Sequence, residues 1–316
     1  MEFCRKAKAE LVRKPSPCRG CQLALLSALV HSAGSIEIAR SELSISVEVD
    51  HAAVARLIFS LFKEQHGVYC EVMVKRVSRL NKTSRYVVRV APAGHSTKIL
   101  QTLMIFEGGV RPVPGIKREL ISSNCCKRAY LKGVFLARGY VTDPSKSYHL
   151  ELVVSDHRYG EALCKLLKAF EIRAGISQNK ERYQVYVKDA SGVADFLQVV
   201  GADSALMDLE SMRVMKSVRN SVNRTVNCET ANVSRSVEAS LAQLSDVELI
   251  QKTVGLGRLR RNLRDTAEAR VEMPSATLGE IGKAMDPTVS RSTVAYRFRQ
   301  IRKLADSLRD GSTEER

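Results

Sequence analysis

Few residues in this chain are of types that do chemistry, and they fall into two groups: eight cysteines and an arginine-rich polar run late in the sequence. Cys18 and Cys21 form a C-x-x-C pair, an arrangement that can chelate a metal or exchange disulfides. No second pair follows at zinc-ribbon spacing, and the adjacent Cys125 and Cys126 are expected to be poor partners on one ion. The sequence reading therefore assigns no metal and no cofactor, and expects these small residues at the starts of buried helices. Among six histidines, His51 and His157 each follow an aspartate, which suggests a shared structural turn and not a ligand. No Ser-His-Asp context and no glycine-rich phosphate loop occurs, so no catalytic residue is assigned and the chain is read as not an enzyme.

The polar run offers recognition chemistry. Ser290, Arg291, Ser292, Thr293, Tyr296, Arg297 and Arg299 combine short hydroxyls with guanidinium groups, the donors that read base edges from a helix N-terminus. Arg302 and Lys303 follow as candidates for backbone phosphates. A second basic series, Arg213, Lys216, Arg219 and Arg224, has a charge every three to five residues and is also assigned to phosphates. Charge agrees with a polyanionic partner: 50 Lys plus Arg against 34 Asp plus Glu give +16 over 316 residues. An apolar fraction of 44% supports a real core, and no run of eighteen apolar residues exists to span a membrane. The opening MEFCRKAKAELVRK is basic and amphipathic without the apolar stretch of a signal peptide, so a cytoplasmic, nucleoid-associated protein with free thiols is expected.

These residues need elements to position them, and the clearest organising signal is an internal repeat. Setting Gly34 against Gly139 places Cys21 on Cys126, Leu26 on Leu131 and Ile36 on Val141. Residues 43–67 then run parallel to 150–175, YVVRV (86–90) meets YQVYV (183–187), and KILQTLM (98–104) meets DFLQVVG (195–201). Each unit reads as helix, strand, strand, helix, strand, strand, helix. Residues 81–85 are a candidate hairpin tip, and each first helix is expected to end on a C-cap glycine. A four-stranded antiparallel sheet with helices on one face follows, leaving the other face open. Gly133 and Ala137, like Ala28 and Ser32, are four residues apart, so the two first helices are expected to pack closely at a pseudo-twofold axis.

LKGVFLARG (131–139), and more faintly residues 26–34, resemble the LAGLIDADG motif of homing endonucleases. That resemblance implies two saddle-shaped sheets and an acidic residue before each final glycine, where paired carboxylates hold the cutting metals. Here those positions are Ala33 and Arg138, which cannot bind a divalent cation. Glu37 and Asp143 lie on the wrong side of each glycine. Cleavage is not expected, and Arg138 is assigned instead to a backbone phosphate.

After residue 202 the strand pattern stops. A basic helix over 203–223 and a linker to 233 are expected, then a helical domain over 234–310. Leu278, Ile281 and Met285 give a short helix an inward face, residues 286–290 make a turn, and Ser290 caps a last helix buried through Val294, Phe298 and Ile301. This is the pattern of a helix-turn-helix.

With residues 125–137, 143–151, 226–232 and 286–297 taken together, the whole chain resembles the WhiA family of Gram-positive bacteria. The resemblance implies an α+β fold of two tandem LAGLIDADG-like units over 1–202 (about 18–105 and 122–202) followed by an all-α helix-turn-helix domain. It also implies a transcription regulator linked to sporulation, cell division and chromosome segregation. Its partners would be double-stranded promoter DNA and another transcription factor or sigma factor. Relatives are expected to carry KSGVNHR where this chain has RSTVAYR (291–297), which bears on the target sequence. Two other readings stand beside it: a nucleoid-bound scaffold that affects division without controlling transcription, and an active endonuclease.

Overall fold

A computed structural model describes residues 2–39, 42–76, 84–90, 95–108, 111–179 and 182–311. Most of the candidate hairpin tip, residues 81–83, lies outside them. The chain divides into two compact units, Met1–Lys216 and Ser217–Arg316.

The first unit opens with α1 (Glu2–Arg13) and then repeats one motif twice. The first copy runs α2 (Arg19–Ala33), β1 (Gly34–Ala39), β2 (Glu42–Val49), α3 (Ala52–His66), β3 (Cys70–Arg76), β4 (Ser84–Val90) and α4 (His95–Thr102). A short ribbon of β5 (Phe106–Glu107) and β6 (Arg111–Pro112) follows. The second copy runs α5 (Asn124–Arg138), β7 (Gly139–Val141), β8 (Leu150–Val154), α6 (His157–Lys168), β9 (Gly175–Asn179), β10 (Arg182–Val187) and α7 (Ala190–Val200). Both sheets are antiparallel with equivalent strand orders, β1-β2-β4-β3 and β7-β8-β10-β9. This is the expected α+β repeat.

Alternation fixes which sheet face is buried. In β2, Leu43, Ile45, Val47 and Val49 point inward, and Leu150, Leu152 and Val154 do the same in β8. Helices α2 and α5 are buried along most of their length and form the centre of the core: Leu25, Leu26, Leu29, Leu131, Val134 and Phe135 are fully buried. They touch where small residues allow it. A Cβ on Gly133 would lie 2.6 Å from the Leu25 carbonyl oxygen and 2.7 Å from the Ala28 Cβ.

The expected glycines end these helices, without the left-handed conformation common at such caps. Gly34 (φ −79°) and Gly139 (φ −80°) are extended, and each helix passes directly into a strand. Glycine is required by proximity: a Cβ would lie 2.3 Å from the Val30 oxygen at one site and 2.6 Å from the Phe135 Cα at the other.

The expected linker is also corrected. A single helix, α8, runs from Asp203 to Thr253. Its Asn, Ser and Thr content is weakly helical, but neither Gly nor Pro interrupts it, and Val214, Val218, Val222 and Val226 keep helical spacing. The helix stops before Gly255, at φ +78°. At its start, Glu10 of α1 accepts from the Ser204 amide (3.0 Å), and Lys14 pairs with Asp203.

In the second unit, the end of α8 packs with α9 (Arg261–Glu272), α10 (Leu278–Ala284) and α11 (Arg291–Gly311). Val247, Ile250, Ala267, Ile281, Val294, Phe298 and Ile301 form its core.

Candidate functional site

The helix-turn-helix is built from α10, a turn and α11. Thr277 caps α10 with a full capping box: its hydroxyl accepts from the Glu280 amide, and Glu280 accepts from the Thr277 amide. These bonds hold the Glu280 carboxyl below its ordinary range. The turn lies close over α10, where a Cβ on Gly282 would fall 2.4 Å from the Val289 oxygen. Ser290 then caps α11, its hydroxyl accepting from the Thr293 amide at 3.2 Å.

Arg270 fixes the frame behind this motif. It is 1% exposed, bonds Gln243 twice (2.9 and 3.1 Å) and the Ala276 oxygen (2.6 Å), and lies over the Phe298 ring. One guanidinium thus joins α8, the segment before α10, and α11. Desolvation lowers its pKa.

Val294, Phe298 and Ile301 are buried as expected. Arg291, Ser292, Tyr296, Arg299, Arg302 and Lys303 are exposed, and at ~100° per residue they share an arc of roughly 140°. Ser290 and Thr293 sit at the edge of that face and bond each other at 2.9 Å. Arg299 lies beside the Tyr296 ring, 5.9 Å from its centre. Arg297 departs from the expectation. It is half-buried and donates to the Thr266 hydroxyl at 3.3 Å, behind the exposed arc, because its position falls beside the apolar stripe.

Two members of the basic series on α8 are engaged by other groups. Lys216 donates to the Pro144 oxygen (2.6 Å) and covers the Tyr148 ring, so it is engaged within the first unit. Arg213 pairs with Glu210 at 3.0 Å. Arg219 and Arg224 are exposed, at the two edges of an arc of about 140°.

At the repeat centre, Ala33 is buried and Arg138 half-buried. Burial lowers the Arg138 pKa, while Glu48 opposes that shift and Arg85 and Arg182, one from each sheet, add to it. A cation therefore stands where the nuclease motif has an acid. The open face of the first sheet is balanced in charge: Glu48 pairs with Arg85 (2.6 Å) and Lys75 (3.7 Å), and Glu37 with Arg89 (3.4 Å). Both Asp-His pairs lie at the expected strand-to-helix turn, but different members cap: His51 at α3 and Asp156 at α6, where His157 is the first helical residue.

One grouping was not foreseen. Cys18, Cys21, Cys125 and Cys126 bring their four sulfur atoms within 4.8 Å of one another. Adjacent cysteines can serve one point because both lie in the first turn of α5, facing the first turn of α2. The Ser123 hydroxyl and neighbouring thiols lower Cys125 to about 7, whereas burial raises Cys21.

Three family models match: the WhiA N-terminal LAGLIDADG-like domain over residues 19–106, the WhiA LAGLIDADG-like domain over 127–219, and the WhiA C-terminal HTH domain over 222–305. A protein named "Probable cell division protein WhiA" from Alkaliphilus oremlandii is 40% identical, covering 98% of this chain and 99% of that one. One of the same name from Alkaliphilus metalliredigens is 39% identical, covering 99% and 100%. The crystal structure of full-length DUF199/WhiA from Thermatoga maritima shares the fold, with a TM-score of 0.59 and 24% identity over 96% of this chain and 97% of that one.

Proposed function

This chain belongs to the WhiA family, and on that premise we propose that it is a DNA-binding transcription regulator that acts in cell division and does not cut DNA. The observation that carries this reading is the exposed arc at the start of α11. There Arg291, Ser292, Thr293, Tyr296 and Arg299 present donors and an aromatic edge to a promoter's major groove, while Ser290 holds the helix start. Arg302 and Lys303 on the same face, with Arg138, Arg219 and Arg224, meet phosphates. Arg213, Lys216 and Arg297 drop out of that set, since each is engaged by another group. Ala33 and Arg138 at the helix ends support the loss of nuclease chemistry. Sporulation, chromosome segregation, a sigma-factor partner and residence on the nucleoid extend this reading.

The test is retention of genomic DNA fragments by the full chain with Mg²⁺ present and across salt. Selective retention of promoter fragments with no cleavage is expected. Cleaved fragments, or retention without preference, would overturn the proposal.

A further inference from the structure

We propose that Cys18, Cys21, Cys125 and Cys126 form a tetrathiolate site for a single Zn²⁺ ion that joins the two repeats at the start of their central helices. Spacing gives the first support. A tetrahedral ion with Zn–S bonds of ~2.3 Å holds its sulfurs about 3.8 Å apart. The separations bracket that value: Cys18 to Cys21 is 3.3 Å, Cys21 to Cys126 is 3.9 Å, and all four sulfurs lie within 4.8 Å. That compactness suits one ion and leaves no room for a multi-iron cluster.

The repeat explains how the group arises. Cys21 and Cys126 are equivalent positions, each third in its helix, and the pseudo-twofold packing of α2 on α5 brings them together. The outer pair is asymmetric. Cys18 is the N-cap of α2, where α5 has Ser123, and Cys125 is second in α5, where α2 has Gly20. Gly20 keeps the site open, since a Cβ there would lie 3.3 Å from the Cys126 sulfur. Two ligands thus come from each repeat.

The surroundings suit the charge. Zinc with four thiolates carries a net charge of about −2, and two helix N-termini direct partial positive charge at it. The Cys21 amide donates to the Cys18 sulfur at 3.3 Å, a bond that stabilises a thiolate ligand. Among the described residues this is the one grouping of three or more His, Cys, Asp or Glu ligand atoms close enough together to share a metal ion. All eight cysteines are unbridged.

The test is metal content of the full chain, purified under reducing conditions without chelator, together with Co²⁺ substitution. About one zinc per chain is expected, and Co²⁺ should give the ligand-field and sulfur-to-metal charge-transfer absorption of a tetrathiolate site. Cys21 and Cys126 are buried, so their loss could unfold the chain. Cys18→Ser and Cys125→Ser keep the buried pair and should weaken zinc binding about tenfold or more while native helicity remains. Cys228→Ser is the control and should retain the metal. A reduced, folded chain that takes up no zinc, or zinc that survives both outer substitutions unchanged, would overturn the assignment.

Discussion

At the scale of single residues, the proposed function requires α11 to separate side chains that face DNA from side chains that hold the fold. Arg291 and Arg299 are exposed on one arc, so Arg291→Ala or Arg299→Ala should weaken binding to a preferred fragment by about 1–3 kcal/mol and relax its sequence preference. Arg297→Ala should instead cost about 1 kcal/mol of stability, through its lost bond to Thr266, and leave base preference intact. Competition binding on fragment libraries, paired with urea unfolding, separates the two; a relaxed preference in the Arg297 variant would put that residue back on the reading face. His31 makes a different prediction. It stacks on Tyr159 at 3.8 Å with Tyr130 beside it, and burial lowers its pKa to about 4. The unfolded chain, with an ordinary histidine, binds the proton first. The neutral ring's contribution is therefore complete above about pH 6.5 and is lost as pH falls towards 4. Stability should drop by on the order of 2 kcal/mol between pH 6.5 and 5, and His31→Phe should flatten that slope. Equal slopes in urea melts of the two proteins would refute it. Most of the exposed arc was legible because hydroxyls and arginines cluster at one helix start. The half-burial of Arg297 was not, although Val294, Phe298 and Ile301 already set the helical phase, because its partner Thr266 comes from α9, which the pattern of α11 alone does not reveal.

At the scale of elements, the contact of α2 with α5 decides the first unit. The Gly133 hydrogen faces a backbone carbonyl, which cannot swing aside as a flexible side chain would. Gly133→Leu should therefore destabilise residues 1–216 by about 3 kcal/mol. Gly257→Ala is the matching control, since nothing lies within 4 Å of its Cβ, and should stay within about 0.5 kcal/mol of the parent. Equal urea midpoints for the two variants would mean that the helices do not meet at Gly133. The repeat made this contact legible, since small residues four apart in both first helices point to close approach. The same alignment already set Cys21 on Cys126, and with the helices packed at a twofold axis those thiols had to meet. Ligand spacing along the chain hid this, because metal motifs are usually read as local pairs, whereas Cys21 and Cys126 are 105 residues apart in sequence and 3.9 Å apart at their sulfurs. The continuity of α8 was hidden for a different reason. Asn, Ser and Thr lower helix propensity without ending a helix, and only Gly or Pro would have done so.

At the scale of the molecule, the distribution of charge sets what binding should look like. Of the +16 total, residues 1–216 carry +12 (33 basic, 21 acidic) and residues 217–316 carry +4 (17 against 13). The larger excess does not lie free on the first sheet, where Arg85, Lys75 and Arg89 are matched by Glu48 and Glu37. A sheet that straddles DNA as a nuclease does would have to release those acids. The phosphate contacts proposed above are five: Arg138, Arg219, Arg224, Arg302 and Lys303. Each neutralised phosphate contributes about −0.9 to the slope of log K against log salt, so the full chain should show a slope of about −4 to −5. Arg138→Ala should reduce its magnitude by about 0.9, and an unchanged slope would make that guanidinium structural. A slope near twice the expected value would mean that the basic excess of residues 1–216 also lies on phosphate, with the sheet carboxylates displaced from their partners. Filter binding of one preferred fragment across a salt series decides between these outcomes, because the slope counts phosphate contacts whatever sequence the recognition helix reads.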